Sequence, residues 1–192
     1  MKRRTWDFIL TSVGGLLTVA LILAGALLMW GATFATSTVH NQLAQQGITF
    51  PSKAAFAHPV AGSEITPSMV PSVSQYAGQR LLTGNQAEVY ADDFIAVHLK
   101  EIGGGLTYAQ LSAKAMANPS DAALQSRVET VFKGTTLRGL LLEGYAFSIF
   151  GGIALISAIC CFILAALMMI LTGFGVLHYR RTPDDVEFPQ SH

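Results

Sequence analysis

The chain has 192 residues, with 12 Lys and Arg, 12 Asp and Glu, and a formal net charge of zero. Hydrophobic residues make up 51% and charged residues 12%, whereas about 25% charge is usual in soluble domains. This composition excludes a disordered chain, which would be polar and charged, and a general nucleic-acid-binding protein, which needs excess positive charge. The two cysteines, Cys160 and Cys161, are adjacent and cannot build a disulfide framework.

Two uncharged runs are long enough to cross a membrane. Residues 8–30 and 147–171 form runs of 23 and 25 residues without a charge, and a bilayer core needs about 20 apolar helical residues. Trp6 and Trp30 bracket the first run, about 36 Å apart on a helix, which matches the two headgroup regions. We therefore predict an all-α membrane protein with transmembrane helices over residues 8–34 and 144–178.

The first run has an alternative interpretation as a cleaved signal peptide. Lys2, Arg3 and Arg4 would form its basic start, and Ala35 could precede the cleavage site. However, the apolar stretch of 23 residues exceeds the roughly 7–15 residues of a signal peptide. Its length favours an anchor that is not cleaved.

The basic residues near the spans predict the orientation. Lys2, Arg3 and Arg4 precede the first span, no cation follows it before Lys53, and Arg180 and Arg181 follow the second. Because cytoplasmic flanks carry the excess of Lys and Arg, residues 1–7 and 179–192 should be cytoplasmic. Residues 35–143 should then be extracytoplasmic. Both tails are too short for a catalytic domain.

Helical signals dominate the first half of residues 35–143. The first helix should continue to Gly47, and residues 51–72, which hold four prolines, should be mostly irregular. Ser72 is expected to cap a helix that runs to Leu82 and stops at Gly84. Asn85 should cap a further helix over 86–102, with an apolar stripe on one face.

The second half of this region also predicts helices and no sheet. Three glycines at 103–105 should end the preceding helix. Thr107 and Gln110 have the spacing of a capping box for a helix to Asn118. A further helix should open at 119–121 and end at Gly134, and Thr136 should cap the segment that enters the second span. The whole region is predicted to be a small helical bundle.

Small residues recur along one face of each span. Helices in lipid associate through such seams because the backbones can approach closely. The two spans could pack on each other, or the seam could bind another membrane protein; both alternatives stay open. The seven candidate packing residues are Gly14, Thr18, Gly25, Gly151, Ala154, Ala158 and Ala165.

One pair of side chains could bind a metal. His98 and Glu101 are three residues apart on a predicted helix, close enough to share an ion. A non-haem iron site needs two histidines and a carboxylate, and the remaining histidine candidates, His40 and His58, are distant in sequence. A solvated pair on a helix surface is the simpler interpretation. The motifs of common nucleophilic and phosphate-binding sites are missing.

Four segments carry a resemblance to a known family: MKRRTWDFIL at the start, VHNQLAQQGITFP at 39–51, QAEVYADDFIAVHLKEIGGGLTYAQLSAKA at 86–115 and TLRGLLLEGYAF at 136–147. The chain resembles a family of small actinobacterial membrane proteins whose members often bear the label aromatic ring-opening dioxygenase. The resemblance implies a bacterial plasma membrane. The label implies non-haem iron and catechol-type substrates, with His40, His58, His98 and Glu101 as the ligand pool.

Two functional hypotheses follow. The first is a cofactor-free accessory or scaffold protein whose extracytoplasmic domain docks onto another membrane or envelope protein. The alternative is a membrane-anchored, iron-dependent aromatic ring-opening dioxygenase. A sensor that signals through the helices would additionally need a cytoplasmic partner.

Overall fold

The structure, a computed structural model, describes residues 3–181 and is helical over most of its length. About 80% of residues 3–181 are helical, and no strand occurs among them, which confirms the predicted all-helical class. The α-helices are α1 (Arg3–Gln46), α2 (Val70–Val73), α3 (Gly84–Val89), α4 (Ala96–Ile102), α5 (Tyr108–Ala117) and α6 (Ala122–Arg181). Short 3₁₀ turns cover Lys53–Phe56 and Ser74–Tyr76, and a π-helical turn covers Tyr90–Ile95.

The described residues divide into two compact units. One contains residues 3–34 and 151–181, and the other contains residues 35–150. In the first unit, α1 and α6 supply the two helices that are long and apolar enough to cross a membrane. Helix α1 ends where the sequence predicts, because Gly47 has a φ of +66°, a left-handed conformation that glycine adopts without strain.

The second unit has a hydrophobic core around Phe50. The ring of Phe50 lies 5.2 Å from that of Tyr76 and 5.3 Å from that of Tyr90, measured between centroids. Core side chains come from α1, from the irregular segment after it and from the helices that follow. The buried members are Val39, Leu43, Phe50, Ile65, Met69, Val73, Leu81, Ala87, Ala91, Ile95 and Leu141.

The helix predicted from Ser72 to Leu82 is wrong. Ser72 lies inside the short helix α2, and the chain turns at Gly78, whose φ is +74°. Beyond this turn the backbone is extended, because the Leu81 amide donates to Ile48 O and the Phe50 amide donates to Gln79 O. These long-range hydrogen bonds replace the helical ones, and Gly84 begins a helix instead of ending one.

The cap predicted at Asn85 is also wrong. Thr83 is the N-cap: its hydroxyl accepts from the Gln86 amide, and the Gln86 side chain accepts from the Thr83 amide. This reciprocal pair is a capping box, in which two otherwise unpaired amides gain partners. The predicted helix over 86–102 is otherwise present, although the π-helical turn Tyr90–Ile95 interrupts its α-helical repeat.

The next two predictions are confirmed. Gly104 and Gly105 have φ values of +61° and +78°, so the three glycines end α4. Thr107 and Gln110 form both hydrogen bonds of the predicted capping box at the start of α5, and Asn118 follows its last residue.

The helix end predicted at Gly134 and the cap predicted at Thr136 are wrong. Helix α6 runs through both positions, and the Thr136 hydroxyl donates within the helix to Phe132 O. An interior glycine costs a helix only about 1 kcal/mol. At Gly134 the missing side chain allows Leu99 to pack closely against α6, since a Cβ atom there would lie 2.4 Å from Cδ2 of Leu99.

Candidate functional site

An apolar groove lies between α4 and α6 in the 35–150 unit. Its volume is about 360 Å³, within the range of small-ligand sites. The close approach of Leu99 to Gly134 forms its floor. The groove is lined by Phe94, Ile95, His98, Leu99, Ile102, Thr130, Gly134 and Leu137.

A row of aromatic rings leads from the core to this groove. The ring of Tyr90 lies 4.8 Å from that of Phe94, and the ring of Phe94 lies 4.6 Å from the imidazole of His98. The three residues are spaced four apart, and the π-helical turn at Tyr90–Ile95 lies within their span. Such turns are frequent at functional sites. Packing on Phe94 holds the imidazole at the side of the groove.

The hydrogen bond of His98 determines what its ring offers to a ligand. Nδ1 lies 2.8 Å from the carbonyl oxygen of Phe94. A carbonyl oxygen can only accept, so Nδ1 carries the hydrogen. In the neutral imidazole the other nitrogen, Nε2, is then a hydrogen-bond acceptor.

Two arginines of α6 link this helix to the helical segment 90–102 near the groove. Arg138 donates to Oδ1 of Asp92 through Nη2 at 2.6 Å and Nε at 3.1 Å. Arg127 donates through Nε to Ile102 O at 2.9 Å, where a cation suits the negative end of a helix. Both contacts are partly exposed, so each contributes only about 0–1 kcal/mol.

The metal ligands expected from the resemblance are not brought together. His98 and Glu101 lie one turn apart on α4, but Glu101 is exposed, as are His40 and His58. Within residues 3–181, no group of three or more His, Cys, Asp or Glu side chains could hold a metal ion. As placed, these residues do not fit the ligand set of a non-haem iron centre.

The seven small residues predicted from the sequence are buried or half-buried in the first unit, and Gly14 and Gly25 of α1 closely approach α6. Gly14, Thr18, Gly25, Gly151, Ala158 and Ala165 are buried, and Ala154 is half-buried. The Thr18 hydroxyl donates to Gly14 O at 2.8 Å. Cβ atoms built at Gly14 and Gly25 would lie 2.6 Å from Thr172 Oγ1 and 2.9 Å from Phe162 Cε1, respectively.

Other parts of this seam were not predicted from the sequence. Gly175 faces Thr11, and Phe162 covers Gly25. The 3–4 spacing extends to Thr11 on α1, but Phe162 is off the small-residue stripe. Its large ring fills the space that the missing side chain of Gly25 leaves.

A second apolar surface lies on the hairpin of α5 and α6, and the sequence analysis missed it as well. Tyr108 and Phe132 are exposed with ring centroids 5.4 Å apart, and Met116 is 75% exposed. Beside Tyr108 a pocket of about 270 Å³ reaches Lys100 and Arg138. We refer to the Tyr108–Phe132 ring pair, together with the exposed Met116 eight residues further along α5, as the hairpin face.

Tyr90 predicts how stability changes at alkaline pH. Burial, and secondarily the charge of Glu64, raises the pKa of the Tyr90 phenol above its ordinary value of 10.0. The unfolded chain ionises first, so the stabilisation is complete below pH about 10 and declines as pH rises through the folded-state pKa.

We expect the free energy of unfolding of the wild-type protein to fall between pH 9 and 11, and that of Tyr90→Phe to fall less. Denaturant titrations at both pH values measure this, with Tyr108→Phe at an exposed tyrosine as control. Equal losses in wild type and Tyr90→Phe would contradict the expectation.

Comparison of the chain with protein-family models, with curated proteins and with solved structures finds no match. Residues 3–181 define an all-helical protein with two long apolar helices, an apolar groove and an exposed hairpin face.

Proposed function

We propose that the chain is an integral membrane accessory protein, anchored in a bacterial plasma membrane by α1 and α6 with both termini in the cytoplasm. Residues 35–143 form an extracytoplasmic domain that docks onto another membrane or envelope protein. The observation that carries the docking role is the hairpin face. The alternative is the membrane-anchored, iron-dependent dioxygenase that the resemblance implies.

The exposure of the two long helices supports the membrane anchor. Only 17% of the most apolar 18-residue stretch of α1, and 11% of that of α6, is buried within the protein. The core helix of a soluble protein would be mostly buried, and soluble monomers rarely expose large apolar patches. Lipid is the solvent that suits such helices, and the basic residues at both tails favour a cytoplasmic location for them.

The hairpin face supports docking onto a protein. Aromatic residues and methionine are enriched where proteins meet, and a few such side chains supply most of the binding energy. Tyr108 and Phe132 contact each other, so their positions are partly fixed before a partner arrives. The adjoining pocket, with Lys100, suits a partner that presents apolar side chains beside a carboxylate or carbonyl oxygen.

Cross-linking on intact cells tests both the orientation and the docking. The full chain would carry Met116→Cys in a Cys160→Ala/Cys161→Ala background, and a membrane-impermeant, thiol-reactive photo-cross-linker would be added outside. We expect one abundant adduct with another protein, identified by mass spectrometry. Adding Phe132→Asp should reduce the adduct about thirty-fold, which corresponds to the loss of an interface hot spot.

Two matched controls belong to this experiment. Val60→Cys places the thiol at another exposed apolar position outside the hairpin and should give no such adduct. Thr136→Asp introduces the same charge at an exposed threonine on α6 and should leave the adduct unchanged.

The outcomes distinguish the parts of the proposal. If Met116→Cys reacts with an impermeant maleimide only after the membrane is opened, the orientation is wrong. If the thiol reacts from outside and no adduct forms, the docking role is wrong. Iron that co-purifies in stoichiometric amount with the full chain, and is lost in His98→Ala or Glu101→Ala, would favour the dioxygenase alternative.

A further inference from the structure

We propose that the groove between α4 and α6 binds a neutral aliphatic chain that carries a hydroxyl group, and that this hydroxyl donates a hydrogen bond to Nε2 of His98. The ligand class is that of long-chain alcohols. This is a binding site separate from the hairpin face, and it rests on the proposed function only for the membrane as the source of such lipids.

The lining excludes a charged ligand. None of the side chains that line the groove is Asp, Glu, Lys or Arg. The nearby charges of Asp92 and Arg138 are paired with each other, and Lys100 lines the neighbouring pocket. A carboxylate or phosphate in the groove would lose its hydration without gaining a counter-charge, which is costly.

The hydrogen-bonding groups of the lining require a donor on the ligand. Nδ1–H of His98 is already bound to Phe94 O, which leaves Nε2 as an acceptor. The Thr130 hydroxyl donates to Ser126 O at 3.0 Å, so it too offers only lone pairs to a ligand. With two acceptors and no free side-chain donor, the groove suits a hydroxyl and not a ketone, ether or ester oxygen.

The shape of the groove fits an extended chain. One wall carries Phe94, His98 and Ile102 at four-residue intervals, and the other carries Thr130, Gly134 and Leu137. At about 1.5 Å per residue, the first wall is roughly 12 Å long. Leu99 fills the space that the missing side chain of Gly134 leaves, so an aliphatic chain would lie lengthwise over this contact, between the two walls.

Photolabelling of the full chain in phosphatidylcholine nanodiscs tests this site. The probe is a long-chain alcohol with a diazirine in its chain, and the matched probe is its methyl ether, which has lost the donor. We expect the alcohol to label residues 94–102 and 130–137 about five-fold more than the ether, the effect of one hydrogen bond. Peptide mass spectrometry locates and quantifies the label.

Three variants complete the test. Thr130→Phe, at an exposed position on the groove wall, should fill the groove and reduce alcohol labelling there to background. Thr136→Phe is the matched control, since Thr136 is also exposed on α6 and also donates to the carbonyl four residues earlier. His98→Phe keeps an aromatic ring but removes the acceptor, so the alcohol-to-ether ratio should fall to about one while ether labelling stays unchanged.

Equal labelling by the two probes in wild type, equal effects of Thr130→Phe and Thr136→Phe, or label confined to residues 8–30 and 147–171 would each overturn the proposal. These results are separable from failure of the docking role. If the chain inserts into nanodiscs and cross-links through Met116→Cys but shows no groove labelling, only the lipid site is wrong. If the chain does not insert, the membrane anchor itself is wrong, and the lipid site falls with it.

Discussion

Phe50→Ala is expected to lower the free energy of unfolding of the 35–150 unit by about 3–5 kcal/mol. Phe50 is 2% exposed and contacts both Tyr76 and Tyr90, so its removal leaves a cavity and releases two ring contacts. A domain of this size has a stability of about 5–15 kcal/mol, so much of it would be lost. Native-state hydrogen exchange of the full chain in detergent, evaluated for residues 84–102, measures the change.

Phe132→Ala is the matched control for this prediction. It removes the same side chain from the same unit, but Phe132 is 51% exposed, and surface substitutions typically change stability by about 0.5 kcal/mol or less. Similar losses in the two variants would contradict the central role assigned to Phe50. The contrast also separates folding from docking, because Phe132 belongs to the hairpin face and Phe50 does not.

Local sequence signals predicted those parts of the fold that depend on near neighbours. The length and composition of residues 8–30 and 147–171 predicted two long apolar helices, and Thr107 with Gln110 predicted a helix start. Gly47 predicted a helix end because a left-handed residue is needed there. Each of these features depends on residues that are neighbours along the chain, where composition, propensity and capping dominate.

The errors arose where distant residues decide the local structure. Ser72 and Gly84 looked like the start and end of a helix, but hydrogen bonds between residues 48–50 and residues 79–81 keep the backbone of residues 79–81 extended. Gly134 looked like a helix end because its role as a contact for Leu99 depends on a residue 35 positions away. Tertiary packing outweighs weak helix propensities in both cases.

The candidate site was predicted only in part for the same reason. The spacing of His98 and Glu101 drew attention to α4, but as a metal-binding pair. The groove beside His98 depends on where α6 passes α4, and no local sequence pattern predicts the relative position of these two helices. The acceptor character of Nε2 depends on the hydrogen bond of Nδ1 to Phe94 O, which becomes visible only once the backbone is placed.

The close contact between α1 and α6 predicts that two introduced cysteines can form a disulfide. A Cβ atom at Gly175 would lie 3.7 Å from Cβ of Thr11, within the roughly 3.5–4.5 Å that a disulfide requires. The full chain with Thr11→Cys and Gly175→Cys, in a Cys160→Ala/Cys161→Ala background, should therefore form an intramolecular disulfide when isolated membranes are oxidised. Mass spectrometry of peptides under non-reducing conditions measures the yield.

A glycine substitution should then separate the two helices. At Gly14 a Cβ atom would lie 2.6 Å from Thr172 Oγ1, whereas at Gly31 nothing lies within 4 Å. Overpacking costs about 1–3 kcal/mol, so Gly14→Leu should slow disulfide formation about ten-fold, and Gly31→Leu should leave the rate unchanged. Equal rates in the two variants would mean that Gly14 is not a contact of α6. In that case the small-residue face of α1 would be free for another membrane protein, as the open alternative from the sequence holds.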